Sequence, residues 1–360
     1  MKRWLSAAVC AAILCATICF CFSAQATDVV SAADAISGDT LTDAADALQA
    51  LIDANPNRTI YFPDGVYLLS HPICTPANPR KSVELRLSNY AVLRASSDFS
   101  GEALVRLGAK DPANDTSTPG SNYALTGGVL DGSGVTGGIT VEGGRETAIR
   151  ETSIKNAIVG IHIFYGANSG SSDADVRDVN IIGTGGTDSV GIFVEGYDNT
   201  FTNIRIGHVF VGMHLRSSAN ALRNIHPLYY SDYTDYENSC AFLDETGSNV
   251  YDFCYSDQFC VGFRTIGNVS NIYSNCFCYW YSAAGGREVG FRADGKFRSV
   301  VTNARLSFRS DTNNAVLQTS RFFGNGTFDN LLVESSHVRD KSYLRFMRGS
   351  IFRLWNILFG

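Results

Sequence analysis

A short phrase of the type Val-Gly-apolar recurs five times between Val190 and Ser307, and it constrains the fold more than any other feature. The central residues of its copies are separated by 21, 29, 21 and 28 positions, and the copies begin at Val190, Val211, Cys240, Val261 and Val289. A period in the twenties, built from short β-rich runs with Gly and Asn between them, is typical of a solenoid. The sequence therefore predicts an all-β fold, a right-handed single-stranded parallel β-helix in which each repeat is one coil.

A second phrase follows the start of each copy by nine or ten residues. It places asparagine at equivalent positions of successive coils, with serine in the last coil: Asn199, Asn220, Asn249, Asn271 and Ser299. Asparagine tolerates left-handed turns, and stacked amides can form hydrogen bonds along the axis of a fibre or solenoid. We therefore expect a structural column at these positions.

The first 26 residues have the pattern of a secretory signal peptide. Lys2 and Arg3 form a basic start, the stretch 5–22 is apolar, and Ala24-Gln25-Ala26 is a small-residue cleavage site. An uncleaved membrane anchor is the alternative. No later stretch is long and apolar enough to span a bilayer. The sequence thus predicts a secreted, extracellular protein with no membrane association after cleavage, and a single β-helix domain over residues 27–360.

The charge of the chain restricts its partners. Of 29 basic residues two lie in the signal peptide, so 27 remain against 35 acidic ones, a net charge near −8 for the mature chain. This balance argues against nucleic acid and anionic membranes as partners.

Six cysteines lie beyond the signal peptide, in a chain whose predicted compartment permits disulfides. Cys254 and Cys276 occupy the same position in successive coils, which favours a stack of small buried side chains. Cys276-x-Cys278 has no His or Cys partner at zinc spacing, so no metal site is predicted.

An amphipathic helix is predicted near the mature N-terminus, over residues 41–54. Its apolar positions share one face, and Asn55-Pro56-Asn57 ends it. Such a helix can cap the open end of a solenoid core. The segment Asp43–Asp53, followed by Tyr61-Phe62-Pro63-Asp64-Gly65-Val66-Tyr67, resembles the opening of the pectin-lyase-like β-helix superfamily, in the pectate-lyase-3-type variety found in secreted glycoside hydrolases and phage tailspikes.

This resemblance implies the fold and a carbohydrate partner. The superfamily includes polysaccharide lyases, glycoside hydrolases, epimerases, esterases and carbohydrate-binding spikes, and some tailspike-like members are homotrimers. The Asn-Thr-Asp, Asp-Asp and Gly-His-Gly motifs of polygalacturonases are absent, which argues against an activity of the glycoside hydrolase family 28 type.

Stacking the coils places a band of charged residues on one outer face. Equivalent residues of neighbouring coils lie about 4.8 Å apart, and side chains alternate between the core and solvent. The band contains Glu195, His214, Arg216, Glu245 and Arg264. Two coil spacings separate the two glutamates, roughly 9 to 10 Å, close to the spacing of an inverting glycosidase pair. Arg216 would lie between the glutamates and bind substrate with His214 and Arg264. The alternative is a ladder that only neutralises stacked charge.

Residues 227–239 are longer than a coil needs and predict an inserted loop. Its acids Asp232 and Asp235 are further catalytic candidates, and Tyr233, together with Trp280 of a later coil, is a candidate for stacking on sugar rings. The alternative is an exposed turn rich in Tyr and Asp. His162 and His214, with one coil between them, are too far apart to share a metal ion. Asp244 falls on an inward position, so either the strand ends there or an acid is buried.

These observations predict a secreted carbohydrate-active enzyme, a glycoside hydrolase with paired carboxylates and no cofactor. Two alternatives stay open. A polysaccharide lyase acting on a uronate-containing glycan would need a basic residue and often Ca²⁺, and Arg216, Arg264 and Arg292 keep it under consideration. A non-catalytic carbohydrate-binding or adhesion solenoid would carry aromatic residues without a carboxylate pair within reach of one sugar bond.

Overall fold

The computed structural model describes residues 29–110, 124–143, 146–165, 173–230, 235–281, 288–308, 315–319, 326–335, 344–345 and 353–359. These residues form a right-handed parallel β-helix in which every strand pair is parallel. Among them, no helix has the length and apolar character needed to cross a membrane. The expected signal peptide, residues 1–26, lies outside the described residues.

Each coil contributes one strand to a sheet that we call the front sheet. Its strands, in chain order, are β5 (Ile73–Pro76), β8 (Ala103–Lys110), β11 (Gly137–Val141), β14 (Val159–Ile163), β16 (Val190–Val194), β18 (Val211–Leu215), β20 (Cys240–Asp244), β23 (Val261–Gly267), β26 (Val289–Gly295), β29 (Ala315–Thr319) and β31 (Leu344–Arg345).

The rest of each coil belongs to a second sheet, the wrapped sheet, which covers the other two sides of the coil. Its strands are β1 (Val29–Ser31), β2 (Asp39–Asp43), β3 (Thr59–Phe62), β4 (Gly65–Leu69), β6 (Glu84–Leu87), β7 (Ala91–Ala95), β9 (Ala124–Thr126), β10 (Val129–Asp131), β12 (Ala148–Arg150), β13 (Ser153–Ala157), β15 (Asp175–Gly183), β17 (Thr200–Gly207), β19 (Ala221–Leu228), β21 (Val250–Asp252), β22 (Tyr255–Asp257), β24 (Ile272–Ser274), β25 (Phe277–Trp280), β27 (Val300–Thr302), β28 (Arg305–Phe308), β30 (Thr327–Ser335) and β32 (Arg353–Phe359).

The register of the front sheet confirms the stacking of the repeats. Ile192 pairs with Met213, and the same column continues through Phe242, Phe263 and Phe291. All five side chains are buried, with relative exposures of 1% or less. The phenyl rings of Phe242 and Phe263 stack with centroids 4.8 Å apart. The solenoid core is therefore filled by like side chains in successive coils.

The glycine of the repeated phrase has a steric cause. A Cβ atom at Gly191 would lie 2.5 Å from the carbonyl oxygen of Gly212 and 2.5 Å from Cγ2 of the buried Ile206. The sequence repeats glycine because the next coil occupies the space of a side chain.

The wrapped sheet bends at residues with left-handed backbone conformation. Asn203, Asn224, Asn275 and Asn303 all have φ between 53° and 55°. Their exposed side chains form hydrogen bonds between coils, such as the 3.1 Å contact from Asn224 Nδ2 to Asn203 Oδ1. Asparagine tolerates this conformation better than most side chains, which explains its recurrence at the bend.

The second asparagine column lies inside the coil and is structural, as predicted. Asn199 Nδ2 donates to Asn220 Oδ1 at 2.9 Å, and Asn220 Nδ2 donates to Asn249 Oδ1 at 3.0 Å. The backbone N–H groups of Asn199 and Asn220 donate to the same two acceptors. The column therefore pairs buried amide groups along the axis, since unpaired polar groups in the core would be costly.

Asp244 ends β20, as predicted, and its carboxyl group is also buried at 1% exposure. Its Oδ2 accepts hydrogen bonds from Asn249, Asn271 and Tyr251, at 2.8, 3.0 and 2.8 Å. Its Oδ1 accepts the backbone N–H groups of residues 246 and 247 at 3.0 and 2.8 Å. One carboxyl group thus joins the inner asparagine column to the turn that follows β20.

The helix near the N-terminus, α1, covers Ala45–Ala54, so the predicted start was wrong by four residues. Residues 41–43 belong to β2 instead. The buried side chains of Leu48 and Ile52 join the core, and the helix packs against β5, the edge strand of the front sheet. Gln49 accepts the backbone N–H of Cys74 in β5 at 2.7 Å and donates to its carbonyl at 3.0 Å. This amide satisfies backbone groups that an open sheet edge would leave unpaired.

The cysteines described by the structure are free and mostly buried. Cys254 and Cys276 are exposed by 0% and 2% in adjacent coils, which confirms that they pack as small core side chains. Burial raises the pKa of the Cys254 thiol well above its ordinary value.

The inserted loop is shorter than predicted, because residues 227 and 228 are the last two of β19. The loop joins β19 to β20 and contains a 3₁₀ turn at Tyr236–Asn238, while residues 231–234 lie outside the described residues. Tyr236 is buried rather than presented to solvent.

Candidate active site

The predicted charged band lies on the outer face of the front sheet. Glu195, Arg216 and Glu245 each follow directly after the strands β16, β18 and β20. Their backbone N–H groups donate to Ile163, Val194 and Leu215 of the preceding coils at 2.7, 2.7 and 2.9 Å. The ladder of the sheet thus fixes the backbone of all three residues at successive levels of the solenoid.

Arg216 lies between the two glutamates. Its Nη1 is 3.8 Å from Glu195 Oε1, and its Nε is 3.4 Å from both carboxylate oxygens of Glu245. The side chains of Glu195 and Glu245 retain 28% and 31% exposure. Solvent therefore reaches both carboxylates, and one guanidinium group contacts both.

Each glutamate also contacts a histidine of the directly preceding coil. His162 Nε2 lies 3.0 Å from Glu195 Oε2, and His214 Nε2 lies 2.7 Å from Glu245 Oε1. The other ring nitrogen of His162, Nδ1, is 3.4 Å from Glu102 Oε1. His162 therefore lies between two carboxylates, one of which is Glu195.

The two histidines are stacked on either side of an aromatic ring. The ring centroid of Phe193 lies 4.5 Å from that of His162 and 4.8 Å from that of His214. The guanidinium carbon of Arg216 is 5.1 Å from the Phe193 centroid, within cation–π range. Stacking between neighbours restricts the imidazoles to the orientation in which they face the glutamates.

The surroundings of His214 and Glu245 shift the pKa of both groups. Burial lowers the pKa of His214 below its ordinary value, although the hydrogen bond with Glu245 opposes this. Burial alone would raise the pKa of Glu245, but the hydrogen bond from His214 and the positive charges of His214 and Arg216 outweigh it and hold that pKa low. A neutral His214 still donates its Nε2–H, so this hydrogen bond and Arg216 keep Glu245 ionised near neutral pH.

Arg264, a predicted substrate-binding residue, is held by another carboxylate. Its Nε and Nη2 lie 2.7 and 2.6 Å from Asp294 Oδ2, and Arg292 Nε lies 2.9 Å from Asp294 Oδ1. Both arginines share the outer face with the glutamates but belong to later coils. A role of Arg264 in substrate binding stays a prediction.

The prediction that Trp280 contacts substrate was wrong. Its side chain is 0% exposed, stacks on Phe308 at 4.6 Å, and donates its indole N–H to the carbonyl of Phe259 at 2.6 Å. Trp280 is the last residue of β25, where side chains alternate, and its direction is inward.

The one predicted loop acid that the structure describes, Asp235, does not join the charged band. Asp235 precedes the 3₁₀ turn and accepts a hydrogen bond from Asn238 Nδ2 at 2.7 Å, whereas Glu245 follows the far end of β20. Five strand residues span roughly 17 Å, so Asp235 and Glu245 lie at opposite ends of β20. Asp232 and Tyr233 lie outside the described residues.

Three side chains of the site were not among the predicted site residues: His162, Phe193 and Glu102. His162 and Glu195 belong to neighbouring coils, and Glu195 lies two residues beyond the position that pairs with His162. The diagonal contact between their side chains could therefore have been predicted from the stacked repeats. Glu102 precedes β8, outside the repeats, and no signal in the sequence places it there. Within the described ranges, no three His, Cys, Asp or Glu side chains converge as ligands of a metal ion would.

Residues 33–231 match the family model described as "Rhamnogalacturonase A/epimerase, pectate lyase-like". The chain belongs to this family. The match covers more than half of the sequence and includes His162, Glu195 and Arg216, while Glu245 lies beyond it. The resemblance to the pectin-lyase-like superfamily is thereby confirmed. The chain matches none of the curated proteins.

Solved structures with this fold include members that handle carbohydrates. The tailspike protein of E. coli bacteriophage HK620, in complex with a pentasaccharide, superposes with a TM-score of 0.62 at 14% identity, covering 92% of this chain and 67% of the tailspike chain. A hyperthermoactive exopolygalacturonase from Thermotoga maritima superposes with a TM-score of 0.57 at 12% identity, covering 92% and 91%. At these identities the likeness shows the fold.

Proposed function

We propose that this protein is a glycoside hydrolase that cleaves a polysaccharide or oligosaccharide with Glu195 and Glu245 as its acid–base pair. The observation that carries the proposal is the shared contact of both carboxylates with Arg216 on an open face of the solenoid. The family and the two carbohydrate-handling relatives support the reaction class.

We assign the role of general base to Glu245. Its low pKa keeps it ionised, and a carboxylate that is ionised at the working pH can take a proton from water. As the water oxygen bonds to the anomeric carbon, the glycosidic C–O bond breaks and Glu195, as the general acid, gives its proton to the leaving sugar oxygen. His162 holds Glu195 in position. Two strand spacings separate the backbones by roughly 9 to 10 Å, and the side chains lean towards one guanidinium. This spacing leaves room for a water molecule and corresponds to an inverting reaction.

The test is a panel of plant, fungal and bacterial glycans incubated with the chain that begins after residue 26. We expect new reducing ends without ultraviolet absorbance, and a product of inverted anomeric configuration by proton NMR. Glu195→Gln and Glu245→Gln are each expected to lower kcat by about 100-fold or more. Glu84→Gln is the matched control, because Glu84 is similarly half-buried but lies on the wrapped sheet beside Arg86.

Other outcomes of the same panel separate the alternatives. Products that absorb in the ultraviolet would show elimination, and glycans that bind without being cut would show a binding protein. Retained activity in both glutamine variants would place the chemistry elsewhere. A chelator arm tests the expectation of Ca²⁺ in a lyase.

Two further expectations belong to this proposal. We infer that residues 1–26 are removed on secretion, which the N-terminal sequence of the protein recovered from the culture medium tests directly. The homotrimer implied by the tailspike resemblance stays a prediction, and sedimentation velocity of the mature protein decides it.

A further inference from the structure

A cavity of about 250 Å³ lies beside the candidate active site, among the front-sheet strands β8, β11 and β14. Its lining includes Glu102, Val135, Thr136, Thr140, Val159 and His162. Its volume is below the range of 300–1,000 Å³ typical of sites for drug-sized ligands. It can therefore hold one ring or one substituent of an oligosaccharide, while the rest of the ligand lies along the outer face.

Part of the cavity lining is aliphatic. Val135 is 43% exposed, and Val159 is half-buried. Flat sugar rings stack on aromatic side chains, and in this cavity the exposed apolar side chains are branched and aliphatic. Such a lining fits a methyl group, which gains free energy when it leaves water.

The cavity lining also contains polar groups that accept hydrogen bonds. The Thr136 hydroxyl already donates to the carbonyl of Gly101 at 3.0 Å, and the Thr140 hydroxyl donates to Glu142 at 2.7 Å. Glu102 is a carboxylate with 56% exposure, and an ionised carboxylate only accepts hydrogen bonds. The cavity is thus complementary to a ligand that offers an N–H or O–H donor next to a methyl group.

We propose that this cavity binds the acetamido group of an N-acetylated amino sugar. The amide N–H donates to Glu102, and the acetyl methyl packs against Val135 and Val159. His162 connects this position to the reaction centre, because it contacts Glu102 through Nδ1 and Glu195 through Nε2. The statement that this sugar lies next to the cleaved bond rests on the proposed function.

Charge argues against two other classes of sugar. No lysine or arginine is among the residues that line the cavity, and His162 already lies between the carboxylates of Glu102 and Glu195. A uronate carboxylate would therefore add a third negative charge beside one imidazole. An unsubstituted hexose offers hydroxyl donors but no methyl group for the aliphatic part of the lining. The cavity therefore selects a neutral sugar with an apolar substituent.

The experiment is saturation-transfer NMR on the mature protein with methyl glycosides of N-acetylglucosamine, N-acetylgalactosamine, glucose, galactose and glucuronic acid. We expect the acetyl methyl protons to receive the strongest saturation, and the two hexoses and the uronate to bind at least tenfold more weakly. Val135→Asp should remove the acetyl signal. Val250→Asp is the matched control, since Val250 is 41% exposed on the wrapped sheet and should leave the signal unchanged.

Glu102→Gln separates the roles of charge and hydrogen bonding. The amide oxygen still accepts the N–H, so binding of N-acetyl sugars should persist, while the weak binding of the uronate should improve several-fold. Equal saturation of acetylated and plain sugars, or an acetyl signal that survives Val135→Asp, would overturn the inference.

These measurements need no catalysis, so the two proposals fail separately. Acetyl binding without hydrolysis of any glycan leaves the cavity assigned and removes the hydrolase. Hydrolysis restricted to uronate glycans supports the hydrolase and removes the assignment of the cavity.

Discussion

The buried carboxyl group of Asp244 gives the sharpest prediction for stability. Replacing it with leucine keeps the approximate volume but removes the acceptor of five hydrogen bonds. The amide groups of Asn249 and Asn271 each keep one hydrogen bond, to the carbonyl of Ser217 and the hydroxyl of Tyr273, while one N–H of each loses its acceptor. The other three are the Tyr251 hydroxyl and the backbone N–H groups of Thr246 and Gly247.

The magnitude follows from the buried donors, which are the Tyr251 hydroxyl, the Gly247 N–H and one N–H of each amide, because Thr246 is exposed and its N–H can bind water. Each buried donor left without an acceptor costs about 1–3 kcal/mol, and relief of the cost of burying the carboxyl group offsets part of the sum. We expect Asp244→Leu to lower the free energy of unfolding by about 3–5 kcal/mol. Asp244→Asn keeps one acceptor oxygen and should cost roughly half as much.

Urea unfolding followed by circular dichroism and tyrosine fluorescence measures this difference, with unfolding rates as a second readout because solenoids can unfold in parts. Asp178→Asn is the control. Asp178 accepts one exposed hydrogen bond from Asn203 at a left-handed backbone position that asparagine tolerates, so this change should cost less than about 1 kcal/mol. A decrease in the free energy of unfolding of less than about 1 kcal/mol for Asp244→Leu would contradict the conclusion that the Asp244 carboxyl group stabilises the inner asparagine column.

Three further predictions concern the histidine–glutamate pair, the repeated glycine and the thiols. Because folding lowers the pKa of Glu245, the stability it contributes is present above the unfolded value of about 4.3 and is lost as pH falls through the folded value; His214→Phe should move the Glu245 carboxyl titration, followed by ¹³C NMR, to higher pH, and an unmoved titration would contradict the contact. Gly191→Ala should cost about 1–3 kcal/mol in urea unfolding, whereas Ala241→Gly should cost less than about 1 kcal/mol; equal costs would contradict the steric explanation. Ellman's reagent should label no more than Cys74 in the native mature protein and all six thiols in urea, and rapid native labelling of more than one would show that the core opens.

The fold could be predicted from the sequence because every coil of a solenoid repeats the same backbone conformation and the same contacts with its neighbours. The Val-Gly phrase reports a steric contact between neighbouring coils, so its spacing gives the register directly. The column of Ile192 and its equivalents followed from that register without further information. The end of the predicted helix was correct and its start was not, because Asp39–Asp43 pairs with β4 before the helix begins.

The site was predictable only as far as the register extends. The stacked repeats placed Glu195, Arg216 and Glu245 on one face, and the described contacts confirm that Arg216 lies between the glutamates. The prediction for Trp280 was wrong because side chains alternate along β25, and those of Cys278 and Trp280 both point inward. The position of Glu102 depends on the turn before β8, which no repeat constrains.

The level-by-level placement of Glu195 and Glu245 makes their separation a whole number of coils. Removing the 21 residues from 196 to 216 would take out one coil and leave the two glutamates on adjacent levels, about 4.8 Å apart in the backbone. That distance is close to the 5–5.5 Å of a retaining pair, in which the second carboxylate attacks the sugar directly. In this architecture, duplication or loss of a single coil is therefore a route by which a lineage could switch the stereochemistry of its product without changing either acid.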